Sequence, residues 1–154
     1  MKTIEGDLIK LAREGAFDVI VHGCNCFCTM GAGIAKQIRK YFPEAHQADL
    51  NTPMGEHQKL GSFSSAVVKR GGKQIVVVNA YTQFTYTGPG RLADYEAIQN
   101  VFMKIKLAYP GMKMAYPKIG AGLARGDWNK IAGIIDRALG NEDHTLVVLP
   151  GFNE

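Results

Sequence analysis

Four side chains able to carry protons or hold a metal stand at alternate positions: His22, Cys24, Cys26 and Cys28, with Asn25 among them. An imidazole titrating near neutrality can move a proton. Thiolates ligate metals or attack electrophiles, and a carboxamide can both donate and accept hydrogen bonds. In an extended segment the alternation puts the imidazole and the three thiols on one side. Zinc is the first reading to weigh. Zinc-binding cysteines usually stand two to four residues apart so that the chain can curl around the ion. Here one residue separates them and no second cysteine pair exists. A disulfide between such near neighbours would be strained. The cysteines therefore read as small buried thiols lining a tight turn, and no metal and no cofactor are expected.

The same stretch runs into a glycine-rich turn. Phe17-Asp18-Val19-Ile20-Val21-His22 is apolar enough for a buried strand, and Gly31-Ala32-Gly33-Ile34 opens a helix. A helix start offers free N–H groups and the positive end of a dipole, which suits a phosphate. Pro117-Lys118-Ile119-Gly120-Ala121-Gly122-Leu123 repeats that chemistry ahead of a helix carrying Trp128. Two such loops suggest a diphosphate held between them. Neither is a Walker motif, because no Gly-Lys-Ser/Thr follows. Neither fits the dinucleotide fingerprint, since Lys36 and Arg125 follow where a third glycine would be needed.

The elements that must position these loops follow from periodicity. Met1–Glu5 reads as an edge strand, Leu8–Arg13 as a short helix and Phe17–His22 as a buried strand. Gly31–Phe42 is helical, with Ile34, Ile38 and Phe42 on one stripe, and Pro43 ends it; Pro43–Asn51 forms a further helical turn. Leu60–Lys69 and Lys73–Ala80 read as strands joined by Gly71-Gly72. The second contains Ile75-Val76-Val77-Val78 and is expected to be buried on both faces. Tyr81–Leu92 is a long aromatic loop. Asp94 caps a helix striped by Tyr95, Ile98, Val101, Phe102 and Ile105. Met112–Tyr116 is a strand, a helix starts at Asp127, and His144–Leu149 is the last strand. Trp128, Ile131, Ala132, Ile135, Ala138 and Leu139 form the inner face of that helix. Alternating strands and helices predict an α/β sandwich with helices on both faces. The glycine loops then fall at strand C-terminal ends, where open sheets bind ligands.

Gly6-Asp7-Leu8, His22-Gly23-Cys24-Asn25-Cys26, Met30-Gly31-Ala32-Gly33-Ile34-Ala35, Pro117-Lys118-Ile119-Gly120-Ala121-Gly122-Leu123 and Asp127-Trp128 together resemble the macrodomain family. The likeness is nearest to its ADP-ribose 1″-phosphate phosphatase-like and terminal-ADP-ribose glycohydrolase-like branch, which includes phage members. It spans nearly the whole chain, residues 1–154, as one macrodomain: a three-layer α/β sandwich with a mixed central sheet. It implies ADP-ribose or a derivative as ligand, with an ADP-ribosylated macromolecule as a further partner. The resemblance places Asp7 at the adenine amino group and Asn25 near the distal ribose. It places Gly31, Ala32, Gly33 and Ile34 in one phosphate loop, and Gly120, Ala121, Gly122 and Leu123 in the other. Phe152 would flank the adenine or cover the core.

The glycohydrolase-like members use a lysine just after the central strand and an aspartate just after the second glycine loop. This chain has Val78-Asn79-Ala80-Tyr81 and Leu123-Ala124-Arg125 there. The phosphatase-like members share the His22-Gly23-Cys24-Asn25-Cys26 segment, so the resemblance implies the phosphatase reaction, with His22 and Asn25 as the catalytic pair, as the expected activity. A non-catalytic ADP-ribose reader is the alternative, as is a hydrolase removing ADP-ribose or an acyl group from a conjugate. Asp94 and Asp127 read as helix caps or accessory acids. The chain is 154 residues long with a net charge of +4, 46% hydrophobic and 21% charged residues, which describes an ordinary globular protein. Its basic residues are scattered, so nucleic-acid binding is not its main business. No apolar run approaches a membrane span, and an acid arrives too early for a signal peptide. A cytoplasmic monomer is expected.

Overall fold

The computed structural model describes residues 1–151. Phe152 lies outside them. Six strands form one sheet: β1 (Lys2–Glu5), β2 (Val19–Cys24), β3 (Phe63–Arg70), β4 (Lys73–Tyr81), β5 (Met114–Tyr116) and β6 (His144–Val148). Their order is β1-β6-β5-β2-β4-β3. Only β3, hairpinned to β4, runs antiparallel; the other pairings are parallel. The five helices are α1 (Leu8–Arg13), α2 (Gly33–Tyr41), α3 (Pro43–Leu50), α4 (Tyr95–Ala108) and α5 (Trp128–Leu139), with a 3-10 turn at His57–Lys59.

The pleat sorts the strand residues into two cores. Val19, Val21, Val76, Val78, Met114, Tyr116 and Leu146 face α4 and α5, meeting Ile98, Phe102, Ile131 and Ile135. Ile20, Ile75, Val77, Ala115 and Val147 face the other way, against Leu8, Ile9, Ile38 and Phe42 of α1–α3. This is the expected three-layer sandwich with a mixed sheet.

Capping explains where most helices begin. Asp7 Oδ1 accepts from the amides of Ile9 and Lys10 at 3.0 and 3.2 Å. Asp94 accepts from Ala97, and Asp127 from Asn129, so both acids are caps. Pro43 starts α3 with its preset φ. Helix α2 alone among the long helices opens after Ala32 with neither a side-chain cap nor a proline.

Boundaries shift where backbone pairing outruns the apolar pattern. Strand β2 continues through Gly23 and Cys24, because the parallel ladder to Ala80 and Tyr81 holds them. Tyr81, expected in the loop, therefore closes β4. Helix α2 starts two residues later than expected, at Gly33. The inner face of α5 includes Ile134, which the predicted stripe omits.

Candidate ligand-binding site

Two cavities open above the C-terminal ends of the parallel strands. The smaller, about 530 Å³, is lined by residues including Gly23, Cys24, Asn25, Thr29, Asp49 and Tyr86. The larger, about 1150 Å³, includes Gly6, Asp7, Gln37, Tyr41 and Val148. They meet at Gly33, Ile34, Pro117, Lys118 and Gly122, which line both. The two glycine loops thus form the saddle of one long trench.

That saddle is rich in unused donors. At the start of α2 the amides of Gly33, Ile34 and Ala35 have no protein acceptor among the described residues; the first bond is Lys36 to the Ala32 carbonyl. In the second loop the amides of Gly120, Gly122 and Leu123 are likewise without one. The second loop keeps its shape by close packing. The Gly126 amide donates to the Gly120 carbonyl at 2.7 Å. A Cβ on Gly126 would lie 2.5 Å from that oxygen and 2.8 Å from Ile131 Cδ1. Gly126→Ala is therefore expected to destabilise the protein by about 1–3 kcal/mol through overpacking. An unchanged urea midpoint would show that the loop relaxes freely.

The structure brings most of the expected site residues to the trench. Gly31, Ala32, Gly33, Ile34, Gly120, Gly122 and Leu123 line the smaller cavity. Ala121 and Asp7 line the larger one. Asn25 stands on the smaller cavity's wall, held by a 2.7 Å bond from its Nδ2 to Thr29 Oγ1 and a 2.8 Å bond from the Phe27 amide to its Oδ1. His22 is not brought to the trench. It is fully buried and lines neither cavity. Burial lowers its pKa from 6.5 to about 4, against the raising effect of Asn79, so the ring is neutral at pH 7. A neutral ring enclosed in the core cannot serve as a general acid toward a ligand in the trench.

His22 instead belongs to a directional chain of hydrogen bonds. Asn79 Nδ2 donates to the Ala45 carbonyl and to Ser64 Oγ, so its Oδ1 must accept from His22 Nε2–H, 2.6 Å away. The Cys24 thiol lies 3.5 Å from His22 Nε2 and 3.7 Å from Nδ1; with Nε2–H committed to Asn79, Nδ1 is the ring atom left to accept from it. Ser64 Oγ and Tyr81 Oη are 2.7 Å apart, and Tyr81 donates to Asp49 Oδ1 at 2.7 Å. Donors therefore run in sequence from Cys24 through His22, Asn79, Ser64 and Tyr81 to Asp49. Burial pushes the Cys24 thiol well up and Cys26 to about 11, so both are inert thiols. The alternation of cysteines does not survive as one face: Cys28 has φ of 59° and turns its Sγ to the Asp49 carbonyl.

Sequence reasoning missed Asp49, which lines the smaller cavity from α3. One signal was available. An acid in the last turn of a helix opposes the helix dipole, and such a residue calls for another reason to be there. Tyr86 and Gln83, from the aromatic loop, also line that cavity.

The fold and its trench define a class: an α/β sandwich with two glycine loops at the strand ends, where two cavities join. Residues 21–135 match the family model of the Macro domain, and the chain belongs to that family. It is 41% identical over 143 residues to an uncharacterized 17.5 kDa protein of Enterobacteria phage T4, covering 88% of each. It is 26% identical over 148 residues to the ADP-ribose glycohydrolase OARD1 of Homo sapiens, covering 94% of this chain and 88% of that one. Among solved structures, the macrodomain of Mycobacterium tuberculosis DarG superposes with a TM-score of 0.71 at 20% identity, covering 96% of both chains. Thermosipho africanus DarTG in complex with ADP-ribose gives 0.73 at 18% identity, covering 100% of this chain and 43% of that one. Among the described residues no helix is long and apolar enough to cross a membrane.

Proposed function

We propose that this chain binds ADP-ribose along the trench. The adenosine occupies the larger cavity, the diphosphate lies on the saddle, and the terminal ribose enters the smaller cavity. The observation that carries this reading is the saddle itself: two glycine loops with amides that have no protein acceptor line the place where the cavities join. Small residues there let a diphosphate approach the backbone. Asp7, on the wall of the larger cavity with Oδ1 engaged in capping, supplies the acid for the adenine amino group. A solved relative in complex with ADP-ribose supports the ligand.

Lysine-dependent cleavage lacks its parts. Tyr81 is buried under Asp49 and Ser64 where the lysine is expected, and Ala124 stands at the aspartate position, tied by its carbonyl to Leu92 and Ala93. Removal of the phosphate of ADP-ribose 1″-phosphate is the second reading, favoured by Asn25 on the wall of the smaller cavity; the buried, neutral His22 adds nothing to it.

Calorimetric titration with ADP-ribose, with AMP as control, tests the binding. One-to-one micromolar binding that AMP does not reproduce is expected. No heat from folded protein would overturn the reading. Inorganic phosphate released from ADP-ribose 1″-phosphate would add the phosphatase activity; binding without release would leave a reader.

A further inference from the structure

Asp49 is 1% exposed, and its Oδ2 has no hydrogen-bond partner among the described residues. A buried carboxylate oxygen left unpaired is costly. Its Oδ1 accepts from the Tyr81 hydroxyl at the end of the donor chain, which leaves Oδ2 as the oxygen without a partner. The same residue lines the smaller cavity and not the larger. A second buried oxygen without a partner, Thr82 Oγ1, stands behind the same wall, 2.7 Å from where a Cβ on Gly23 would lie. Thr82 does not line the cavity, so Asp49 Oδ2 is the unpartnered buried oxygen carried by its wall.

Asp49 makes no salt bridge among the described residues. The Lys59 ammonium lies 4.6 Å from the Tyr81 ring centre and donates to the Cys26 carbonyl at 3.1 Å. Lys59 lines neither cavity. Lys118 sits at the saddle, where the two cavities meet.

We propose that Asp49 reads the terminal ribose: its Oδ2 accepts a hydrogen bond from a ribose hydroxyl, and its charge selects a neutral C1″ end over a phosphorylated one. The ligand class is then ADP-ribose with a free or uncharged C1″ substituent. This rests on the binding reading above and sets its phosphatase variant aside.

The test compares ADP-ribose, ADP and ADP-ribose 1″-phosphate by calorimetry on the wild type and on Asp49→Asn. Wild-type protein is expected to bind ADP-ribose about tenfold or more tightly than the 1″-phosphate. Asp49→Asn, which keeps an acceptor for Tyr81, is expected to weaken ADP-ribose about tenfold, to leave ADP unchanged, and to narrow the gap to the 1″-phosphate. Equal wild-type affinities for the two ribose ligands would overturn the selectivity even if the variant failed to fold. Parallel losses for ADP and ADP-ribose would make Asp49 a structural residue only. Failure of wild-type protein to bind either ADP or ADP-ribose would instead bring down the binding reading itself.

Discussion

Gly122→Glu is expected to abolish ADP-ribose binding in a protein that melts at the wild-type temperature. Gly122 lines both cavities, so its position is where they join. A Cβ there meets nothing within 4 Å, and its backbone is not in the left-handed region, so the fold accepts a side chain without strain. The carboxylate then occupies the saddle and faces the diphosphate. Two like charges about 4 Å apart in a partly screened site repel by about 4 kcal/mol, or about a thousandfold in affinity. Gly122→Ala separates bulk from charge: it adds a methyl with no charge and should cost far less. Calorimetry and thermal melting of both variants give the answer. Micromolar affinity retained by a folded Gly122→Glu protein would move the diphosphate off this loop.

The layers of the fold were legible because β-branched runs and helical stripes are strong local signals. Ile75-Val76-Val77-Val78 is buried on both faces as expected, since α4 and α5 cover one face of β4 and α1–α3 the other. Where pairing partners decide an element's end, local sequence is silent. Nothing in Gly23-Cys24 favours a strand; the ladder to Ala80 and Tyr81 makes one. The 3-10 turn at His57–Lys59 is another case, because it is tied to tertiary contacts such as that of Lys59 with the Cys26 carbonyl.

The site divided in the same way. The position of the glycine loops was readable, because each follows an apolar strand and precedes a helix, and both loops line the trench. The roles of His22 and Asp49 were not, since each depends on residues far along the chain. His22 looks like a proton carrier beside a polar turn, yet Asn79, 57 residues away, takes its Nε2–H inside the core. Asp49 looks like one more surface acid until β4 brings the Tyr81 hydroxyl against it. A parallel sheet assembles its floor from distant segments, so burial at that floor cannot be read from neighbours in sequence.

Acid is expected to destabilise this protein below pH 6.5, and His22 should account for much of the effect. The unfolded chain binds a proton at this imidazole near pH 6.5, whereas the folded protein does so only near pH 4. Between those values the unfolded state holds more protons, so stability falls as pH falls. The contribution is fully present above pH 6.5 and is lost as pH drops through about 4, amounting to about 3 kcal/mol. His46 and His144 are also lowered, chiefly by burial, and Glu44 and Asp143 by their Arg70 and Lys2 partners. All of these act in the same direction, so the wild-type profile alone cannot assign the loss. His22→Gln removes the titration and keeps an N–H for Asn79. Urea unfolding at pH 7.5 and 4.5 should show a stability loss smaller by about 2 kcal/mol in the variant. Equal losses would mean that the ring already titrates near its ordinary value in the folded protein. That requires contact with water, which the smaller cavity, lined by Gly23 and Cys24 of β2, would supply. His22 would then regain its claim as a proton carrier, and the phosphatase reading would regain its acid.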